Sequence, residues 1–153
     1  MRKITALLLT FVMVLTFTGC SQQAGHNSNH KFDIASQDWT MTIIQSQNTD
    51  DAGLIIACGA DSSEASDQAE EIDMVCSAEK GQLTLTDRTN GKIYSGTYSV
   101  KDSSAEATIY DITMGEAKGM AVVSDTKYHD GSQVGTLILS FEDYAISFSG
   151  KNK

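Results

Sequence analysis

Apolar and polar residues alternate in short runs along most of this chain, from Trp39 onward. Trp39, Met41 and Ile43 are separated by threonines, and Leu83 and Leu85 continue the same alternation further along. A period of two is typical of strands that bury one face, and turn residues interrupt the runs about every 8–12 positions. The pattern therefore predicts an all-β domain of about eight or nine strands.

Short turns join each run to the next, which favours an antiparallel meander. Closing such a sheet removes its exposed edges, so we expect a closed or nearly closed barrel over residues 37–150, with a β-sandwich as the alternative. The chain contains no proline, as central strands require, and Asn90-Gly91 predicts a type I′ hairpin turn. The residues expected to face the interior are Trp39, Met41, Ile43, Leu54, Ile56, Leu83, Leu85, Val122, Leu137, Leu139, Phe141, Ile146 and Phe148.

Two cysteines fall at apolar positions of a predicted hairpin. Its strands are residues 53–60 and 71–78, and the register that sets Cys58 opposite Cys76 centres the acidic loop between them on Asp67. Both side chains then point to the apolar face. Two outcomes stay open here: a buried cross-strand disulfide, or two reduced thiols packed in the core.

The first twenty residues have the order of a secretory signal. Basic residues at positions 2 and 3 precede an apolar run over 4–17, which ends in small residues at Gly19-Cys20. With that ending, the segment resembles the precursor of a bacterial lipoprotein. The resemblance implies that residues 1–19 are a signal peptide and that Cys20 receives a diacylglycerol and acyl modification. It also implies a protein held by lipid on the extracytoplasmic face of the cell membrane.

Residues 20–36 are small and polar after the cysteine, and they predict a flexible tether between the lipid and the domain. His26 and His30 lie in this segment, four residues apart, but the residues between them are poor helix formers. We therefore expect no metal site in the tether.

The chain is acidic, with 20 Asp and Glu against 11 Lys and Arg and a formal net charge of −9. Such a balance repels nucleic acid and anionic headgroups, so neither is an expected partner. The acids between positions 61 and 73 lack the spacing of an EF-hand, and the cysteines have no second ligand nearby in sequence. We predict no metal and no cofactor apart from the lipid on Cys20.

Candidate catalytic chemistry is sparse. His129 is the histidine of the predicted domain, and it lies beside Asp130-Gly131, where aspartate and glycine suit the backbone of a turn. A hydrolase needs a nucleophile close to such a base, and the chain has no Gly-x-Ser-x-Gly elbow. We predict no catalytic residue and no enzymatic activity.

Four aromatic residues are candidates for a binding patch. Tyr94 and Tyr98 alternate on one strand face with Gly96 between them, and Tyr110 falls on the next strand. Together with Trp39, these rings suit stacking on a sugar or gripping a peptide. The alternative is that they line the core or the mouth of a barrel.

Trp39 opens the first strand of the meander, and in this the domain resembles the lipocalin and calycin barrels, which carry a tryptophan on their first strand. Segments such as GTYSV, GMAVVSDT and YHDGS also resemble small uncharacterised lipoproteins of Gram-positive bacteria. The sequence thus predicts a non-enzymatic, membrane-anchored β-domain that binds a protein or glycan or serves envelope structure. The lipocalin resemblance implies the alternative of a barrel that binds a small apolar ligand.

Overall fold

A computed structural model describes residues 33–60, 62 and 69–152 of the protein. All regular structure in these residues is β, which confirms the predicted fold class. The predicted signal peptide, Cys20 and the predicted tether up to residue 32 lie outside the described residues. The strands are β1 (Gln37–Ser46), β2 (Ile55–Cys58), β3 (Glu70–Glu71), β4 (Met74–Glu79), β5 (Gln82–Asp87), β6 (Lys92–Ser103), β7 (Ala107–Met114), β8 (Ala117–Lys127), β9 (Gln133–Ser140) and β10 (Tyr144–Asn152).

Eight of these strands close into a barrel. Strands β4 to β10 pair in chain order as an antiparallel meander, and β1 closes the ring between β4 and β10. The pairing of β1 with β10 extends from Gln37 opposite Asn152 to Ser46 opposite Tyr144. Of the two predicted architectures, the barrel is therefore the correct one.

The predicted hairpin around the acidic loop is wrong. The first half of β1 pairs with β4, with Trp39 opposite Cys76, while its second half pairs with β2, with Ile43 opposite Cys58. β3 adds a short parallel pairing to β2. Because β1 extends beyond its pairing with β4, its second half is available to β2, so β2 and β4 never become partners.

Cys58 and Cys76 are consequently not opposite each other, and both are buried free thiols. Their partners on β1 are four residues apart, which corresponds to about 13 Å along a strand. A disulfide needs Cα atoms within about 7 Å. Of the two outcomes left open by the sequence, the structure has two free thiols, and Cys76 packs in the barrel core while Cys58 is buried outside the core cluster.

The barrel core contains most of the residues predicted to face inward. Those that are buried are Trp39, Met41, Leu83, Leu85, Leu137, Leu139, Phe141, Ile146 and Phe148.

Four of the residues predicted to face inward are not in the buried core. Ile43 is turned outward because Thr42 is an extra residue in β1 relative to β10, so the alternation changes phase there. Val122 lies between buried Ala121 and Val123 and faces outward. Leu54 and Ile56 are 53% and 47% exposed, since they belong to the β1–β2 connection and to β2 rather than to a barrel hairpin.

One end of the barrel is closed by the turn over residues 33–36. Ile34 is fully buried and belongs to the core cluster. Its carbonyl oxygen accepts a hydrogen bond from Trp39 Nε1 at 2.9 Å, and Asp33 Oδ1 accepts one from the Tyr110 hydroxyl at 2.9 Å. We call this the closed end, and the chain enters the barrel there.

The predicted type I′ turn at Asn90-Gly91 does not form, although the chain does turn there. Gly91 has a φ of +65°, but the only described non-glycine residue with positive φ is Lys80. The Asp87 carboxylate accepts hydrogen bonds from the backbone and side-chain nitrogens of Asn90, both at 2.9 Å, and these bonds hold a wider turn.

Candidate functional site

The end of the barrel opposite the closed end contains a cavity of about 400 Å³. This volume falls within the range of small-molecule sites, which are concave and mostly apolar. We call this cavity the cup, and its lining residues are Ile44, Ile56, Met74, Leu85, Tyr94, Met114, Ala117, Phe141, Tyr144 and Ile146.

One wall of the cup is built by β10, β1 and β2. Ile44 and Ile146 are paired across β1 and β10. On the other side of β1, Ile44 pairs with Ala57 and the next residue pairs with Ile55, which leaves Ile56 as an extra residue in a bulge. Bulges re-aim side chains at the rims of barrels, and here Ile56 lines the cup.

Two tight turns supply the rest of the wall. Met114 and Ala117 pair on either side of the turn between β7 and β8. Phe141 and Tyr144 flank the next turn at this end, where the Phe141 amide donates to the Tyr144 carbonyl at 2.9 Å and the ring centroids are 5.2 Å apart. Each turn therefore places an apolar pair at the mouth. Methionine side chains adapt their shape readily, so this wall can follow the outline of an occupant.

Part of the lining is accessible to solvent. Ile56 is 47% exposed, Tyr94 44% and Tyr144 37%. Exposed apolar groups that converge on one concave surface mark binding sites more often than isolated ones do. Among the described residues that line the cup, none is charged, and its polar side-chain groups are the hydroxyls of Tyr94 and Tyr144. The cup can therefore hold an apolar group and offer hydrogen bonds at its rim.

The four aromatic residues predicted as a patch do not share a surface. Trp39 and Tyr110 are 0% and 2% exposed because inner positions of a closed barrel point into its core. Tyr98 packs edge-on against Tyr110, with ring centroids 5.6 Å apart. Of the four, Tyr94 alone lines the cup. The surface-patch prediction is corrected accordingly: these side chains belong to the core and the mouth.

His129 lies in an exposed turn, as predicted from Asp130-Gly131. Asp130 Oδ1 accepts hydrogen bonds from the backbone nitrogen and hydroxyl of Ser132, at 2.8 and 2.6 Å. These bonds hold the pKa of the Asp130 carboxyl below its ordinary value. The carboxylate is thus engaged in shaping the turn.

Two further features of the described residues bear on the site. No three His, Cys, Asp or Glu side chains within them are placed to hold a metal ion. Within the same part of the chain, no helix has the length and apolarity needed to cross a membrane.

The sequence singles out half of the ten lining residues and does not indicate Ile44, Met74, Met114, Ala117 and Tyr144. The pairs Met114/Ala117 and Phe141/Tyr144 each flank a two-residue polar turn, a pattern that places apolar side chains at a strand end. Which turns share an end depends on the register of every strand. That register contains bulges, at Thr42 and Ile56 among others, which the alternation does not mark.

Comparison with other proteins adds no assignment to this geometry: the chain matches no protein-family profile, no curated protein and no solved structure.

Proposed function

We propose that this protein is a membrane-anchored, extracytoplasmic lipoprotein whose barrel binds a small apolar ligand in the cup. The observation that carries the binding function is an open cavity of about 400 Å³ with an uncharged, largely apolar lining. The anchor rests on the Gly19-Cys20 ending of the predicted signal peptide. The ligand-binding alternative is preferred to a structural module because a filled barrel end would bury these side chains.

The expected affinity follows from the apolar surface. Each buried methylene contributes about 0.8 kcal/mol, so a ligand that buries about eight of them gains roughly 6 kcal/mol before the cost of association. Without that cost, about 6 kcal/mol would correspond to a dissociation constant of about 40 µM, so an unspecialised apolar molecule should bind more weakly than this. A ligand that also uses the rim hydroxyls of Tyr94 and Tyr144 should bind more tightly.

The test uses the full chain with Cys20→Ser, which carries no lipid, and the neutral fluorophore N-phenyl-1-naphthylamine. We expect saturable fluorescence enhancement with one cup-dependent site for each chain. Ala117→Trp should abolish that site, since Ala117 lines the cup at an exposed position and the indole fills the mouth.

The matched control is Thr97→Trp, which adds the same side chain at an exposed position of β6 outside the cup. Its binding should equal that of the parent. Equal binding by the parent and Ala117→Trp would show that the cup holds no such ligand. The barrel would then be better described as a surface-binding or envelope module.

A further inference from the structure

Acidic side chains lie beside the residues that line the cup. Glu116 is in the turn between the lining residues Met114 and Ala117. Glu142 and Asp143 form the turn between Phe141 and Tyr144, which also line the cup. All three acids are exposed. Both turns therefore carry exposed carboxylates next in sequence to side chains that line the cup. Of the three acids, Glu142 also lines a separate surface pocket with Gln45 and Ala145.

Three basic residues lie at the same end, and two of them are close to carboxylates other than Glu116, Glu142 and Asp143. Arg88 forms an ion pair with Asp73 at 3.8 Å. Hydrogen bonds from Asn90 lower the pKa of the Asp87 carboxyl, and the charge of Lys92 lowers that pKa by a smaller amount. Lys118 follows Ala117 at an exposed position. The potential at the rim of the Phe141–Tyr144 turn is therefore dominated by carboxylates.

The tyrosines of the rim add a second attraction for positive charge. Tyr94 and Tyr144 line the cup and are both more than one third exposed. A cation held near an aromatic face is stabilised by the negative potential of the ring. An anionic head at the same place would meet like charges, and a neutral head would gain neither interaction.

From this juxtaposition we infer that the ligand of the cup is a cationic amphiphile: an apolar body fills the cup, and a protonated amine or quaternary ammonium head stays at the acidic rim. The inference rests on the proposed function, because it assigns the chemistry of the ligand at that same site. The apolar part supplies most of the binding, while the rim selects the charge of the head.

The test compares three amphiphiles with the same ten-carbon chain: decylammonium, decanol and decanoate. Binding to the full chain with Cys20→Ser is measured by calorimetry at pH 7, below the micelle concentration of each. The cup-dependent part is the difference from Ala117→Trp, so binding to other apolar segments cancels. At low ionic strength we expect decylammonium to bind about tenfold more tightly than decanol and decanoate to bind most weakly, with the preference reduced by salt.

Two charge variants locate the source of the preference. The first variant removes three charges from the rim by combining Glu116→Gln, Glu142→Gln and Asp143→Asn. It should lower the affinity for decylammonium to about that for decanol, without weakening the binding of decanol. The second variant removes three charges from exposed positions at the other end of the barrel by combining Glu79→Gln, Asp102→Asn and Glu106→Gln. It should leave the preference for decylammonium over decanol unchanged.

The outcomes separate this inference from the proposed function. Cup-dependent binding of decanol that equals or exceeds that of decylammonium overturns the inference and leaves the ligand-binding function standing. An equal loss of preference in both charge variants also overturns it, because the selectivity would then come from net charge alone. Absence of any cup-dependent binding overturns both.

Discussion

Trp39 and Tyr110 fasten the closed end of the barrel through two hydrogen bonds to the turn that precedes β1. Both side chains are buried, and each donates its polar hydrogen to residues 33–34. Burial raises the pKa of Tyr110, and the nearby Asp33 carboxylate adds to that rise, so the phenol remains a donor. The side chains of Trp39 and Tyr110 thus fill the barrel interior near this end, and the cup lies at the opposite end.

Cys76 leads to a pH-dependent prediction. Burial, together with the charge of Asp38, raises the pKa of its thiol to about 12. The unfolded thiol loses its proton near pH 8.5, while the folded thiol keeps it. The stabilisation is therefore complete below that pH and is lost as pH rises from about 8.5 towards 12. Denaturant unfolding at pH 7, 9 and 10 should show stability falling with pH.

The matched variant is Cys76→Ala. Its stability at pH 7 should be lower than that of the parent because a buried side chain is shortened, but its decline between pH 9 and 10 should be shallower. A decline of the same slope in both proteins would mean that the Cys76 thiol is not the group responsible.

The turn between β4 and β5 contains a strained residue, Lys80. Lys80 and Gly81 have φ values of 49° and 81°, and Glu79 and Gln82 pair on either side of them. Two central residues with positive φ define a type I′ turn, for which Asn-Gly is preferred. Lysine in the left-handed region costs about 1–2 kcal/mol, and its ion pair with Glu79 is highly exposed and worth little.

Lys80→Asn should therefore stabilise the protein by about 0.5–1 kcal/mol, because asparagine tolerates the left-handed conformation. Chemical denaturation measures the change. Lys80→Ala serves as the control, since it removes the same ion pair without easing the backbone, and it should give no gain. A stabilisation by alanine as large as that by asparagine would contradict a backbone origin.

The sequence predicts where most strands lie along the chain, but it does not predict which strands pair with each other. The alternation around Trp39 and Met41 correctly marks β1, since burial on one face imposes a period of two. Beyond Met41 the extra residue Thr42 reverses the phase; its hydroxyl donates to Ser147 O at 3.0 Å, and its carbonyl accepts from Gly59 N at 2.8 Å. Those bonds come from distant strands, so nothing local signals the bulge.

The cup illustrates the same limit for function. Tyr94 was singled out because it alternates with Tyr98, and it does line the cavity. Trp39 is a candidate for the same aromatic patch, but its side chain is buried in the packed core of the barrel. An inward-facing side chain can belong either to the packed core or to the cavity. Which of the two it joins depends on how many strands surround that level of the barrel and on the size of their side chains.

The placement of anchor and cup at opposite ends has a functional consequence for the proposed lipoprotein. The described chain begins with Asp33 at the closed end, so the segment that leads back to Cys20 joins the barrel there. A lipid on Cys20 would therefore attach the barrel through its closed end, opposite the mouth of the cup. Attachment at that end leaves the mouth free of the tether.

Lipidation itself is tested by Cys20→Ala. We expect loss of labelling by an alkyne-tagged fatty acid and loss of the protein from the membrane fraction, since two acyl signals make attachment lasting. Cys58→Ala is the matched control; it changes a buried thiol within the domain and should keep both label and membrane location. Labelling that persists in Cys20→Ala would place the lipid elsewhere or rule it out as the anchor.

The pairing of Gln37 with Asn152 joins the first strand to the last. The first and last strands of the barrel are thus neighbours. The order of strands around the ring would therefore stay the same if the chain termini were moved to another turn. A circular permutant that links 152 to 33 with a short glycine-rich bridge keeps the turn over residues 33–36. If it opens at the exposed turn containing Gly131, it should close into the same ring. Its new termini would still lie at the end away from the mouth, because that turn and the original termini occupy the same end of the barrel.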